Sequence, residues 1–260
     1  MNTAEPYVQR HDDNGVAHLR LNRPKQFNAL SVGMLEALLE QLDAISSDAS
    51  IRVVVFSGEG KVFSAGHDLK EMKATHTLDF QRALFRLCNR FMMRLVNLPQ
   101  PTIARVHSLA TAAGCQLVSM CDLAVAGEDT RFAVSGIRYG LFCATPAVGL
   151  SRNVGRKKAF EMLITGDFID AAEALRIGLI NRAVPIDALD AEVEKFTSAI
   201  CAKPAAVVAS GKSLFYRQLE MGMEAAYQLA AETIACNAMM PEAEEGMNAF
   251  IEKRAPVWNG

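Results

Sequence analysis

Two short turns of small residues constrain this chain more than any other feature. The first lies in Lys-Val-Phe-Ser-Ala-Gly-His-Asp-Leu-Lys-Glu-Met over residues 61–72, and the second in Ala-Thr-Ala-Ala-Gly-Cys-Gln over residues 110–116. Each sits between an apolar run and a helix start. The first N–H groups of a helix have no partner within it, so each turn can aim a free backbone donor into a shared cavity. Two such donors make an oxyanion hole, a site that stabilises charge developing on a carbonyl oxygen.

The rest of the chain alternates strand and helix before turning helical. Val16 to Leu21 reads as a strand, and Ser31 as the N-cap of an amphipathic helix carrying Met34, Leu35, Leu38, Leu39, Leu42 and Ile45 at helical spacing. Arg52 to Ser57 reads as a buried strand ended by Gly58 and Gly60, and Leu78 to Leu98 as a long helix stopped by Pro99 and Pro101. Thr102 to Val106 (strand), Ala113 to Met120 (helix) and Leu123 to Ala126 (strand) complete a repeated strand-turn-helix pattern. From about Pro146 strands are expected nearly to vanish. Helices are then predicted over Pro146 to Asn153, Arg156 to Ile164, Ala171 to Ile177, Pro185 to Ala202, Pro204 to Leu219, Glu224 to Ala238 and Glu242 to Lys253. So many apolar helical faces suggest that some pack on a neighbouring subunit.

Composition excludes several function classes. At 260 residues and 50% hydrophobic, the chain can bury a large core and is not disordered. Lys and Arg number 27 against 29 Asp and Glu, with no dense basic run, so nucleic acid is a poor candidate partner. No uncharged apolar stretch reaches the length of a membrane span. Residues 1–13 are polar and mixed in charge, lacking the features of a signal peptide or an Arg-rich presequence, which makes the cytoplasm the expected compartment. Cysteines 88, 115, 121, 143, 201 and 236 form no Cys-x-x-Cys pair and read as buried thiols. Histidines 11, 18, 67, 76 and 107 lack ligand spacing, so no metal site is expected. Gly58-Glu-Gly-Lys61 is no phosphate loop, because its first glycine would fall on Val55 and Val62 replaces the magnesium-binding hydroxyl. A Gly-x-Ser-x-Gly nucleophile elbow is absent from the sequence.

A run of motifs in order carries a family resemblance: Leu21-Asn-Arg-Pro24, Asn28-Ala-Leu30, Phe63-Ser-Ala-Gly-His-Asp68, Ala112-Ala-Gly-Cys115, Cys121-Asp122, Leu163-Ile-Thr-Gly166, Ala174-Leu-x-x-Gly-Leu179 and Glu245-Gly-Met-x-x-Phe-x-x-Lys-Arg254. With these the chain resembles the crotonase, or enoyl-CoA hydratase/isomerase, superfamily nearly end to end. The turn over 110–116 and Gly140-Leu-Phe-Cys-Ala-Thr-Pro146 look most like its enoyl-CoA hydratase domain-containing protein 3 group.

The resemblance implies an α/β fold, a ClpP/crotonase-like spiral of ββα units over residues 1–200, with a helical trimerisation region over 201–260 and assembly as a homotrimer or a hexamer of two trimers. It implies an acyl-CoA thioester as ligand, with coenzyme A entering as part of the substrate and no separate cofactor. By position, the backbone N–H groups of His67 and Ala113 are the oxyanion donors. Ala29, Ala65, Asp68, Leu69 and Lys70 line the coenzyme site, and Phe250 and Lys253 meet coenzyme A bound to the adjacent subunit.

The departures bear on the reaction. In the hydratases that this chain resembles, glutamates stand at the positions of Gln116 and Gly136, whereas residues 110–121 and 132–145 contain no Asp or Glu. A neutral amide can orient water or a substrate group, but it accepts no proton near neutral pH. His67 is the one nearby imidazole. The run around it also resembles methylmalonyl-CoA decarboxylase, although a tyrosine of that relative is replaced here by Cys143. Cys143 and Cys115 have no adjacent histidine to activate them as nucleophiles. Asp68 is expected to N-cap the following helix, and Ser135, Arg138 and Tyr139 lie on the segment expected to line the acyl end. The readings left open are an enoyl-CoA hydratase-like enzyme of fatty acid metabolism, another thioester reaction such as decarboxylation, and a non-catalytic acyl-CoA binder.

Overall fold

The computed structural model describes residues 5–258. Its first element is a strand that the hydrophobic pattern does not announce, β1 (Val8–Asp13), paired antiparallel with β2 (Val16–Leu21). The turn between them is Asn14-Gly15, both at positive φ (49° and 81°), the chemistry that a two-residue hairpin requires. β1 is mostly exposed, so its sequence lacks an apolar alternation.

Beyond this hairpin the main sheet is parallel. β3 (Val53–Gly58), β4 (Thr102–Val106), β6 (Leu123–Gly127) and β9 (Arg182–Val184) extend it in the order β1-β2-β3-β4-β6-β9. Its central strands are apolar on both faces because both faces are covered: Val54, Phe56, Ala104 and Ala126 pack into the larger core, and Val53, Val55, Ile103 and Val125 meet Leu189 and Val193 on the other side. The larger core is supplied by α1 (Val32–Ser46), α3 (Leu78–Asn97) and α4 (Ala113–Met120), while Leu189 and Val193 belong to α8 (Leu189–Cys201). Ser31 caps α1 by accepting from the Met34 N–H, as its sequence position predicts.

A second, three-stranded sheet holds β5 (Ala110–Thr111), β7 (Arg131–Ala133) and β8 (Ile169–Asp170) in the order β5-β7-β8, with a further bridge from Ala110 to Ser64. After Pro146 strands nearly vanish, as expected, leaving among the described residues β8 and β9 of two and three residues. Both are too short to impress a period on the sequence, and each is held by a neighbouring strand. The single helix expected over Pro185 to Ala202 opens instead as a 3₁₀ turn, Ile186–Ala188, before α8.

The remaining helices are α2 (Leu69–Ala74), α5 (Ala144–Asn153), α6 (Arg156–Thr165), α7 (Ala171–Arg176), α9 (Ala205–Leu219), α10 (Met223–Ala238) and α11 (Pro241–Glu252), each within a few residues of its expected range where one was predicted. α9 is anchored by a buried lysine. Lys212 Nζ donates to the carbonyls of Leu95 (2.8 Å) and Gln100 (3.0 Å) and to Asp122 (2.7 Å), which also accepts from Thr102 and Tyr216. α10 and α11 leave large apolar side chains such as Tyr227, Ile234, Phe250 and Ile251 exposed.

Candidate active site

Because β3 and β4 are parallel neighbours, the segments that leave their carboxyl ends emerge side by side, the place where open α/β sheets bind ligands. The segment after β3 runs through residues 59–68 into α2, and the one after β4 runs through β5 into α4. The two turns singled out in the sequence are thus adjacent. Thr111 N–H donates to the Ser64 carbonyl at 3.0 Å.

Glycine permits the close approach. A β-carbon on Gly114 would fall 2.3 Å from the Ser64 carbonyl oxygen, so Gly114 is the one residue type that lets α4 start against the first turn. Gly66 (φ +90°) has the same relation to the second turn, where a β-carbon would meet Ala112 and the Ala113 nitrogen. Ala112 itself has φ 51° and ψ −122°, a backbone state that alanine adopts at a cost of order 1–3 kcal/mol, and such residues cluster at functional sites. Its N–H is held by the Ala133 carbonyl at 3.0 Å. Neither His67 N–H nor Ala113 N–H donates to any group among the described residues.

The first turn is braced from below by residues 27–30. Ala65 N–H donates to the Phe27 carbonyl (3.0 Å), Leu30 N–H to the Gly66 carbonyl (2.7 Å) and Ser64 Oγ to the Asn28 carbonyl (2.9 Å). Asn28, fully buried at φ 51°, uses its whole amide: Oδ1 accepts from Arg23 N–H, and Nδ2 donates to the carbonyls of Glu59 and Val62, each at 2.9 Å. Ala29 lies inside this brace. Asp68 caps α2 by accepting from Lys70 N–H (2.9 Å) and Glu71 N–H (3.2 Å), as expected, while Leu69 and Lys70 stand exposed beside it.

The imidazole of His67 has a defined tautomer. Its Nδ1 lies 3.0 Å from the Leu30 carbonyl, which only accepts, so Nδ1 carries the proton and Nε2 is a bare lone pair. Nε2 is enclosed without a partner among the described residues, and the ring packs edge-on against Phe85 of α3 at 5.3 Å between centroids. Burial lowers its pKa, opposed by the Leu30 bond, and keeps the ring neutral at pH 7. In this arrangement the side chain tethers the turn that presents the His67 N–H.

Gln116 lies in the first turn of α4, buried, with Oε1 enclosed and unpaired among the described residues. The turn over 136–143 closes on itself. Gly136 N–H donates to Cys143 Sγ at 3.2 Å, Leu141 N–H donates to the Gly136 carbonyl at 3.0 Å, and a β-carbon at 136 would lie 2.5 Å from the Leu141 oxygen and 2.7 Å from Cys143 Sγ. The space beside residue 136 is therefore filled. Burial pushes the Cys143 thiol up, against the Gly136 bond, and the Cys115 thiol up to about 12, so both are protonated and poor nucleophiles. Ser135 Oγ is buried against Thr111 Oγ1 at 2.8 Å, Tyr139 is exposed, and Arg138 pairs with Asp167.

Seven of the expected site positions, 29, 65, 67–70 and 113, thus fall on two contacting turns and their brace, and Gln116 follows one helical turn later. Phe250 and Lys253 stand exposed at the end of α11, and no side-chain hydrogen bond among the described residues links them to the turns. Sequence reasoning missed the roles of Asn28, Leu30 and Phe85. Asn28 was legible only as part of a motif, and Phe85 is one apolar residue among many on α3. No group of three or more His, Cys, Asp or Glu able to hold a metal ion occurs among the described residues. Two clefts, of about 300 Å³ where the end of α1 meets α9 and about 160 Å³ where α3 meets α9, contain none of the expected site residues.

Comparison with known proteins agrees with this architecture. Residues 11–260 match the family model described as enoyl-CoA hydratase/isomerase. The chain is 44% identical over 253 residues to a Xenopus laevis protein named enoyl-CoA hydratase domain-containing protein 3, mitochondrial, covering 97% of this chain and 86% of that protein. Among solved structures it resembles an enoyl-CoA hydratase from Mycobacterium smegmatis (TM-score 0.96, 56% identity, covering 98% and 99% of the two chains). It also resembles the human enoyl-CoA hydratase domain-containing protein 3 (TM-score 0.95, 41% identity, covering 98% and 100%). The Xenopus, rat and human relatives are named mitochondrial, which overturns the cytoplasmic expectation. That expectation rested on the mixed charge of residues 1–13, of which the first four lie outside the described residues. By the family match, the identities and the shared fold, this chain belongs to the enoyl-CoA hydratase/isomerase family, the crotonase superfamily, and is similar within it to the domain-containing protein 3 group.

Proposed function

We propose that the chain binds an acyl-CoA thioester and receives its carbonyl oxygen between the backbone N–H groups of His67 and Ala113. The observation that supports this most directly is the contact of Gly66 with Ala112 and Ala113, made possible by two positive-φ residues and leaving both N–H groups unpaired among the described residues. Fixed donors of this kind stabilise an enolate or tetrahedral oxyanion without reorganising, each typically to the extent of about 10²- to 10³-fold in rate. Coenzyme A is the handle of the substrate, with Ala29, Ala65, Asp68, Leu69 and Lys70 along its path. In a homotrimer or hexamer, Phe250 and Lys253 of α11 reach coenzyme A in the adjacent subunit, and the exposed apolar residues of α10 and α11 are covered.

Hydration needs acid–base groups as well as the hole. General acid–base groups contribute about 10²- to 10⁴-fold each. Here Gln116 cannot take a proton, and the turn at Gly136 leaves no room for a carboxylate. The protein is therefore read as a crotonase-fold acyl-CoA binder with an intact oxyanion hole and little hydratase activity. The intact hole supports a second reading, an enzyme for a thioester reaction that needs only enolate stabilisation, such as decarboxylation.

Titration of butyryl-CoA and free coenzyme A, beside a crotonyl-CoA hydration assay, tests the proposal. The ester binds tighter than free coenzyme A while hydration stays far below that of a two-glutamate family member. Equal affinity for ester and coenzyme overturns the hole, and robust hydration overturns the assignment of Gln116 and Gly136. Turnover of malonyl-type esters decides for the second reading.

A further inference from the structure

The wider of the two clefts, about 300 Å³ between the end of α1 and the start of α9, has two polar ends of opposite character. A hydrogen bond fixes the lining side chain at each end. At the first, Gln100 Nε2 donates to the Ile45 carbonyl in the last turn of α1 at 2.9 Å. Gln100 Oε1 is left enclosed with no donor among the described residues, on a residue only 8% exposed. Buried amides are ordinarily satisfied, and one that is not points to a missing partner. The helix adds to the same need. The Ser46 and Ser47 carbonyls accept from nothing among the described residues, the last turn of α1 carries no basic residue, and Asp48 follows directly. A helix C-terminus carries about half a negative charge, so this end calls for a donor that is also a cation.

The second end suits an anion. The Arg52 guanidinium is held by its bond to the Lys203 carbonyl, which places it just before α9, while Asp48 pairs with Arg10 instead (3.5 Å). α9 follows Pro204 without a side-chain cap. The N–H groups of Ala205 and Ala206, which line the cleft, donate to nothing among the described residues. The start of a long helix carries about half a positive charge, and its free N–H groups bind anions. Between the two ends the wall is apolar, formed by Ile51, Pro99 and Val208.

We infer that this cleft binds a free aliphatic α-amino acid. Its carboxylate meets Arg52 and the start of α9, its ammonium meets Gln100 Oε1 and the end of α1, and its side chain lies along Ile51, Pro99 and Val208. An ammonium only donates and a carboxylate only accepts, so each satisfies the groups at its own end and neither can replace the other. The volume is at the lower end of the range for small-molecule sites, about 300–1,000 Å³, which suits an amino acid and excludes a whole acyl-CoA. The cleft shares no residue with the two turns, so its ligand does not depend on the thioester reading.

The test is calorimetric titration of the full chain with L-leucine, with 4-methylpentanoate, which lacks the ammonium, with 3-methylbutylamine, which lacks the carboxylate, and with glycine, which lacks the chain. L-leucine binds about tenfold or more tighter than each of the others. In Arg52→Gln its advantage over 3-methylbutylamine disappears, and in Gln100→Leu its advantage over 4-methylpentanoate disappears, a crossed pattern that general loss of folding does not produce. Absence of saturable L-leucine binding, or binding no tighter than that of either single-charge analogue, overturns the inference. Advantages that survive in both variants put the ligand elsewhere and overturn the site. Displacement of bound L-leucine by butyryl-CoA overturns it as well, by placing the amino acid at the two turns. The wild-type comparison stands even if a variant folds poorly.

Discussion

A β-carbon on Gly66 would stand 2.9 Å from the amide nitrogen of Ala113, across 47 positions of sequence, and 2.8 Å from the β-carbon of Ala112. Few contacts in the molecule leave so little choice of residue, because Gly66 also sits at φ +90°. The consequence is a pair of N–H groups, His67 and Ala113, whose separation is set by main chain packed on main chain, so it does not depend on side-chain rotamers.

Gly66→Ala therefore perturbs the proposed oxyanion hole directly. The substitution meets both an unfavourable φ and a steric clash, each of which destabilises by about 1 kcal/mol or more. We expect a lower unfolding temperature and at least a tenfold weaker affinity for butyryl-CoA, with free coenzyme A less affected. Calorimetry and titration on the same preparation check this, and unchanged ester affinity would remove Gly66 from the site.

Restoring carboxylates is expected to work at one position and fail at the other. Gln116→Glu replaces an amide by a base of the same shape, and a general base is worth about 10²- to 10⁴-fold. Crotonyl-CoA hydration should rise by at least about tenfold over wild type. Adding Gly136→Glu drives a side chain into the Leu141 carbonyl and Cys143 Sγ, an overpacking that costs about 1–3 kcal/mol. The double variant should be less stable than Gln116→Glu and no more active. A double variant with near-normal stability and further activity would show that the turn over 136–143 reopens readily.

What the sequence made legible follows from how each element announces itself. α1, α3, β3 and α4 have period and punctuation of their own, such as Ser31 before α1 and Pro99 after α3, and their bounds were predicted within a residue or so. β7, β8 and β9 are two or three residues long and exist because a neighbouring strand is present, so no window of sequence can show them. β1 was readable in part, from Asn14-Gly15, but its solvent-facing residues hid the strand. At the site, the family motifs located both turns. The Leu30 carbonyl that sets the His67 tautomer and the thiol that fills the space at Gly136 are contacts between distant residues, and no local pattern encodes them.

Acidification is expected to destabilise the protein through its partly buried histidines. Burial lowers the pKa of His67, and the same cause acts on His18 and His107. A histidine with a lowered folded pKa is protonated first in the unfolded chain. As pH falls through the ordinary value of about 6.5, the unfolded state therefore binds more protons and native stability declines until the folded pKa is reached. Above that window the effect vanishes. Urea midpoints at pH 7.5 and 5.5 should show the loss, and His67→Asn, which can still donate to the Leu30 carbonyl but does not titrate, should show less of it. An equal slope in the variant would mean that His67 contributes nothing to the pH dependence.

The buried pair Lys212–Asp122 makes a sharper prediction because its two partners are not equivalent. Burial lowers the Lys212 pKa, and Asp122 raises it again, so the ammonium depends on the carboxylate to remain charged. Removing Asp122 (Asp122→Ala) leaves a buried cation with only the Leu95 and Gln100 carbonyls, a change that typically costs about 3–5 kcal/mol. Removing Lys212 (Lys212→Met) leaves Asp122 still accepting from Thr102 N–H, Thr102 Oγ1 and Tyr216 OH at 2.6–2.8 Å, and replaces a buried charge by an apolar chain of similar length. The asymmetry should appear in urea denaturation as a clearly larger fall in midpoint for Asp122→Ala than for Lys212→Met. Equal losses would show that the pair acts as one ion bridge, and that the Thr102 and Tyr216 donors do not sustain the carboxylate alone. Because Lys212 lies on α9 and Asp122 lies in the core between α4 and β6, limited proteolysis of Asp122→Ala should cut first around α9, whereas Lys212→Met should keep the wild-type pattern.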